Sequence, residues 1–171
     1  MKKILIVLML MMSSLTFSQG NYYVNVVQDV KLALIDDLHG NHAFTPDLVL
    51  EVELQDTARH NYYFSALFLA EYANLAGGEY YRYGFGLQTG FFGFDDRMEI
   101  GISPNFSNIY RFEKNNFALG VDFNFKWKLT KDIKFISKVQ VLQRSDLEYK
   151  YGGSYVRTSW MMGLGIRVFK F

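Results

Sequence analysis

The sequence predicts an all-β chain, an eight-stranded antiparallel up-and-down transmembrane β-barrel behind a cleaved signal peptide. Three observations predict it. From Phe117 to Lys128 the side chains alternate without a break: Phe117, Leu119, Val121, Phe123, Phe125 and Trp127 are apolar, and Ala118, Gly120, Asp122, Asn124, Lys126 and Lys128 are small or polar. In a strand, successive side chains point to opposite faces, so this is a ribbon with one greasy and one polar side. It is also about as long as a tilted strand that crosses a bilayer, roughly 9 to 11 residues. Second, seven further segments of similar length alternate in the same way. Third, 50% of the chain is apolar and 18% aromatic, yet its mean hydropathy is close to zero, which requires fine interleaving of polar and apolar residues.

With 171 residues the chain suits one domain with a substantial core. Met1 to Ser18 reads as a secretory signal: Lys2 and Lys3 form its positive end, Ile4 to Met12 its apolar run, and Ser13 to Ser18 is small and polar apart from Leu15 and Phe17. That run is too short to span as a helix, so a buried first helix or an uncleaved anchor is the weaker reading. Cleavage is expected after Ser18, which makes 1–18 the signal and 19–171 the barrel domain, with Gln19 first. With no Cys after the apolar run, no lipoprotein anchor is expected. The formal charge of +1 becomes −1 once Lys2 and Lys3 leave with a signal that carries no acid, so neither nucleic acid nor another polyanion is an expected partner. The absence of Cys excludes disulfides, thiol chemistry and Cys-based metal sites.

The elements follow in order. Val24 to Ile35 places Val24, Val26, Val30, Leu32 and Leu34 opposite Asn25, Asp29 and Lys31, and a polar linker, Asp36 to Pro46, follows with Gly40, Asn41 and Pro46 as breakers. Asp47 to Gln55 sets Leu48, Leu50, Val52 and Leu54 against Val49, Glu51 and Glu53, and Asp56 to Asn61 turns. Tyr62 to Tyr72 carries Tyr62, Phe64, Ala66, Phe68, Ala70 and Tyr72 on one face. Leu67 and Leu69 opposite them blur the contrast, and aromatic spacing favours strand over helix. After Ala73 to Glu79, the run Tyr80 to Phe92 alternates Tyr81, Tyr83, Phe85, Leu87 and Phe91 with Arg82, Gly84, Gly86, Gln88 and Gly90. Gly93 to Asp96 turns into Arg97 to Tyr110, in which Pro104 suggests a bulge or the edge of the regular region. A polar loop, Arg111 to Asn116, precedes Phe117 to Lys128, and Leu129 to Asp132 turns into Ile133 to Arg144. The charged loop Ser145 to Tyr155 leads to the last segment, in which Val156, Trp160, Met162, Leu164, Ile166 and Val168 oppose Arg157, Ser159, Gly163, Gly165 and Arg167. Short turns at 56–61, 93–96 and 129–132 alternate with loops that include two longer ones, as periplasmic turns and extracellular loops do in transmembrane barrels.

Alternation alone also fits a soluble lipocalin-like barrel binding a small lipid, with its apolar face inward. Two features favour an apolar exterior. The polar face collects Gly84, Gly86, Gly90, Gly101, Gly120, Gly163 and Gly165, which weaken a solvated strand but make room in a narrow lumen. Aromatics also gather at segment ends, as at two bilayer interfaces: Tyr72, Tyr80, Tyr81, Tyr110, Phe117 and Tyr155 toward the outside, and Phe91, Phe92, Trp127, Phe135 and Phe169 toward the periplasm, with Trp160 in the same girdle.

The final segment runs to Phe171. This resembles the C-terminal signature of bacterial outer-membrane barrels, whose terminal aromatic is read by the barrel insertion machinery, so Phe171 is the expected insertion signal. Phe169 and Phe171 fall in phase with Gly165 and Arg167, and a bulge near Arg167 would restore them to the lipid-facing set. Residues 24–171 as a whole are similar in pattern to small eight-stranded outer-membrane barrels of the OmpA/OmpX type. That resemblance implies an outer-membrane location with membrane lipid as the immediate partner.

The inward face is expected to carry a charge network of Glu51, Glu53, Glu71, Arg82, Arg97, Glu99, Asp122, Lys126, Lys138 and Arg167, together with Asp29, Lys31, Lys128, Arg144 and Arg157. Charges in so narrow a space must pair, so a plugged structural interior is favoured over a narrow channel. Glu51 and Glu53 have the spacing of paired catalytic carboxylates, but the surrounding cations favour salt bridges. His39 and His42, with Asp36 and Asp37, lack the closed geometry of a metal site, and neither they nor His60 lies on a segment beside Ser65, Ser103, Ser107 or Ser159. No cofactor and no enzymatic activity is expected. The predicted role is structural, or one of interaction with an extracellular or envelope protein through the outer loops.

Overall fold

Strands with a period of two bury one set of side chains and expose the other, and a sheet that closes on itself satisfies its own edges. The computed structural model describes residues 20–35, 41–56, 61–76, 78–94, 96–147 and 155–170. Eight antiparallel strands close in chain order into one barrel. They are β1 (Gly20–Asp29), β2 (Asp47–Asp56), β3 (Tyr62–Leu75), β4 (Gly78–Gly93), β5 (Met98–Arg111), β6 (Lys114–Lys128), β7 (Ile133–Gln143) and β8 (Val156–Lys170), with a short helix α1 (Val30–Leu34) after β1. The signal segment 1–18, Gln19, Asp36, Asp37, His39, His60 and Phe171 lie outside the described residues.

One circuit of paired residues runs through Tyr23, Glu53, Leu67, Gly86, Asn105, Gly120, Leu142 and Arg157. It reaches β8 four residues before Met161, the partner of Asp29, so it has climbed from residue 23 to the level of residue 33, a shear of ten. Eight strands with such a stagger tilt by roughly 40° and leave an interior that side chains fill. The ends at which β2 leads to β3, β4 to β5 and β6 to β7 lie on the same side of the barrel as the first strand's start. At the opposite end the wall is uneven, because β3 to β6 run 14 to 16 residues whereas β1, β2 and β7 run 10 or 11.

The apolar face points outward. Phe123 is 52% exposed and its neighbour Asp122 is 1% exposed, and Leu50, Phe64, Phe85, Phe106, Leu164 and Ile166 are exposed as well. A lipocalin-like barrel would bury these residues and expose the charges, so the soluble alternative is reversed in sense. The interior is not wholly polar: Val27, Val49, Leu69, Ile136 and Met161 form one buried apolar cluster, and Leu32, Leu75, Tyr80, Ile109 and Leu142 belong to a second.

Several local expectations are corrected. The first strand spans Gly20–Asp29 and not Val24 to Ile35, because the Asp29 carboxylate accepts hydrogen bonds from the backbone N–H of Lys31 and Leu32 and caps α1. Lys31 is therefore exposed on α1, outside the lumen. Pro104 causes no bulge: Gly86 pairs with Asn105 and Thr89 with Ile102 in one register, and only the ladder between them lapses. The polar loop expected at 111–116 is a two-residue turn, Phe112 and Glu113, both at positive φ, closed by the Arg111–Lys114 pair. Asn115 and Asn116 continue β6, so polarity there marks strand above the apolar band and not a loop. At the chain's end a bulge is present: Tyr22 pairs with Phe169 and Tyr23 with Arg167, which leaves Val168 as the extra residue and turns Phe169 outward.

Candidate functional site

The lumen is built around Glu53 on β2, whose carboxylate is fully buried. It accepts hydrogen bonds from Lys126 Nζ at 2.6 Å, Lys134 Nζ at 2.8 Å, Asn25 Nδ2 at 3.0 Å and Ser65 Oγ at 3.2 Å. Those donors come from β6, β7, β1 and β3, so one acid ties five strands together. Lys126 also donates to Gln88 Oε1 at 2.9 Å, and Gln88 donates to the Tyr63 hydroxyl at 2.7 Å. Toward the turn end, Glu99 accepts from Gln55 at 3.2 Å and lies 3.5 Å from Lys134 and 3.7 Å from Lys128. Arg167 closes that rim by donating to Asp132 at 2.6 and 3.1 Å.

Toward the loop end, Lys138 donates to Glu51 and lies 3.5 Å from Asp122, which also accepts from Asn105 at 3.2 Å. Arg82 Nε lies 2.6 Å from Glu71 Oε2 in an ionic contact. Arg157 bridges Asp29 at 2.6 Å and Asp47 at 3.2 Å. Above β7, Arg144 donates twice to Asp146 at 2.7 Å, and Arg111 reaches the same carboxylate at 3.4 Å. Burial by itself would lower Arg144 and raise Asp146, but their paired hydrogen bonds and charges prevail, holding the guanidinium above and the carboxyl below their ordinary ranges.

Of the ten residues expected to form the network, Glu51, Glu53, Glu71, Arg82, Glu99, Asp122, Lys126 and Lys138 lie buried together inside the barrel, and Arg167 sits at its turn-end rim. Arg97 does not join them. It is exposed in the turn between β4 and β5, where its backbone N–H donates to Phe94 O, because β5 begins one residue later than the alternation suggested. Lys134, left out of the expected network, is fully in it, and its place two residues before Ile136 and four before Lys138 was a readable sign. Asp146 carried no such sign, since it lies in a segment without periodicity. Tyr23 and Tyr63 point inward, Tyr23 beneath the Lys134 ammonium at 3.5 Å.

The girdle residues Tyr72, Tyr81, Phe91, Tyr110, Phe117, Trp127, Phe135, Trp160 and Phe169 lie on the outer surface. At the loop end Tyr72, Tyr81 and Tyr110 stack across three strands with ring centroids 5.1 and 6.5 Å apart. Tyr80 and Phe92 are corrected: both turn inward, Tyr80 beneath Arg144 and Phe92 against Tyr63. No group of three or more His, Cys, Asp or Glu that could hold a metal occurs among the described residues.

A closed eight-stranded barrel with an apolar exterior, aromatic ends and paired charges within has the architecture of a transmembrane β-barrel. Among solved structures, the outer-membrane protein Ail of Yersinia pestis in phospholipid bilayer nanodiscs is similar over 87% of this chain and 98% of its own, at 10% identity and a TM-score of 0.56. A de novo designed transmembrane β-barrel is similar over 88% and 95%, at 8% identity and a TM-score of 0.50. Neisserial surface protein A aligns over 88% and 94%, at 12% identity and a TM-score of 0.46. No protein-family model and no curated protein matches the sequence.

Proposed function

We propose that this protein is a non-conducting outer-membrane barrel, exported by segment 1–18, inserted with the help of Phe171, and engaged with extracellular or envelope partners through its outer rim. The observation that carries this reading is the Glu53 hub: two lysines, an asparagine and a serine from four other strands converge on one carboxylate across the lumen. An ion crossing the barrel must break those contacts, two of them charge pairs in a low dielectric. The wall from β3 to β6, with its stacked tyrosines, stands tallest at the loop end and is the surface a partner meets first. Purified protein in planar bilayers is expected to stay silent, and Glu53→Gln to introduce conductance or leak. Step conductance in the wild-type protein would overturn the plugged-lumen reading.

A further inference from the structure

The barrel wall is incomplete at its outer end. β1 leaves it at Asp29, whose partner is Met161, and the chain turns into α1. β8 continues for five more residues, Val156 to Trp160, which pair with β7 on one side and with no strand on the other among the described residues. A notch one strand wide therefore opens beside β8, and α1 crosses it with Leu32 turned inward. A cavity of about 570 Å³ occupies the notch, within the range of small-molecule sites.

Its lining is graded. Val139 and Trp160, at its foot, belong to the lipid-facing surface, and Leu32 and Leu75 form apolar wall between them and the mouth of the lumen. At that mouth stand Arg111, Arg144 and Arg157, with Lys31 exposed above them. The carboxylates paired with these cations are Asp29, Asp47 and Asp146. Among the described residues, four cations stand against three acids, which leaves one positive charge in excess. Lys31 has no ion pair among the described residues, and the buried Nε of Arg111 has no hydrogen-bond partner, although its Nη groups reach Asp146 and the carbonyl of Ala76.

We propose that the notch binds one single-chain amphiphile of the fatty-acid class from the outer leaflet, its carboxylate on Arg111 and Lys31 and its tail over Leu32, Val139 and Trp160. One surplus charge matches one monoanion, and the apolar side opens where acyl chains already lie. The Arg157 bridge to Asp29 and Asp47 closes the lumen below the head, so the site is a dead end for binding and not a conduit. It stands independently of any protein partner at the rim and of the conductance test.

The test uses full-length protein in micelles with Trp127→Phe, so that Trp160 is the sole tryptophan, titrated with stearic acid brominated at mid-chain. Saturable quenching at about one acid per protein is expected, against shallow linear quenching by the brominated alcohol of equal length. Lys31→Glu, an exposed change that leaves folding intact, should raise half-saturation about tenfold, as should Arg111→Gln. Acetate and inorganic phosphate should not compete. Equal quenching by acid and alcohol, an unchanged half-saturation in Lys31→Glu, or parallel quenching of Trp127 in a Trp160→Phe protein would each mean partitioning only and overturn the site. Displacement of the acid by a lysolipid phosphate at lower concentration would overturn the carboxylate assignment.

Discussion

Glu53 has Lys126 on one carboxylate oxygen and Lys134 on the other, all three out of solvent, so the cost of changing it is set by what it leaves behind. Neutralising one member of a buried charge cluster leaves its partners uncompensated, a loss of about 3 to 5 kcal/mol. Glu53→Gln is therefore expected to lower the unfolding free energy of the refolded barrel, read from urea titration, by that much, whereas Arg97→Ala, exposed in its turn, should change it by less than about 0.5 kcal/mol. Equal effects would place Arg97 in the network after all. At the loop end, Asp146 is held below its ordinary range by Arg144 and Arg111. Its depressed folded pKa means that the stability it supplies is complete above the unfolded carboxylate value, about 3.9, and is lost as pH falls through the folded one. Unfolding midpoints of wild type and Asp146→Asn measured between pH 7 and pH 2 should therefore converge toward the acid end.

Among elements, the β5–β6 hairpin and the β8–β1 seam are the most sharply constrained. Phe112 and Glu113 both adopt positive φ, at 53° and 59°, in a two-residue turn that Asn-Gly fits with less strain. Replacing the pair with Asn-Gly should stabilise the barrel by about 1 kcal/mol, read as an upward shift in the unfolding midpoint, with no change in fold. The seam is the opposite case. A Cβ on Gly163 would stand 1.9 Å from the backbone oxygen of Val26 and 2.6 Å from Val27 Cα, so the two strands that close the barrel can approach only because that residue has no side chain. Gly163→Ala should cost about 1 to 3 kcal/mol and make the folded band on unboiled gels open at lower temperature. The glycines elsewhere admit tyrosine and asparagine as much as long charges: Tyr63 lies against Gly90 and Gly101, Asn105 against Gly120 and Asn25 against Gly165.

For the whole molecule, orientation is the property on which the class of protein turns. Spin labels at Phe123 and Asp122, adjacent on β6, should differ sharply: the first open to oxygen dissolved in lipid, the second shielded from oxygen and from aqueous relaxants. Equal accessibility would contradict the apolar exterior. The alternation of Phe117 to Lys128, the count of strands and the turn at 129–132 were legible in sequence, because a period of two and a sharp turn are local properties of consecutive residues. So was the need for a bulge near Arg167, since the phase of Phe169 is a matter of counting. Which lysine meets which acid was not, because Glu53 and Lys134 are far apart in the chain and are brought together only by the stagger of eight closed strands. The helix after Asp29 was hidden for a related reason: Val30, Leu32 and Leu34 keep the strand period, and only a capped chain that leaves the wall beside β8 makes them helical. Strand periodicity needs no partners and so was set by sequence, and the glycines on the polar face with the aromatic segment ends pointed to an apolar exterior. Tertiary closure decided the Glu53 hub and the notch beside β8, because each depends on the register between strands, whereas the inward turn of Tyr80 follows from its phase with Arg82 within β4.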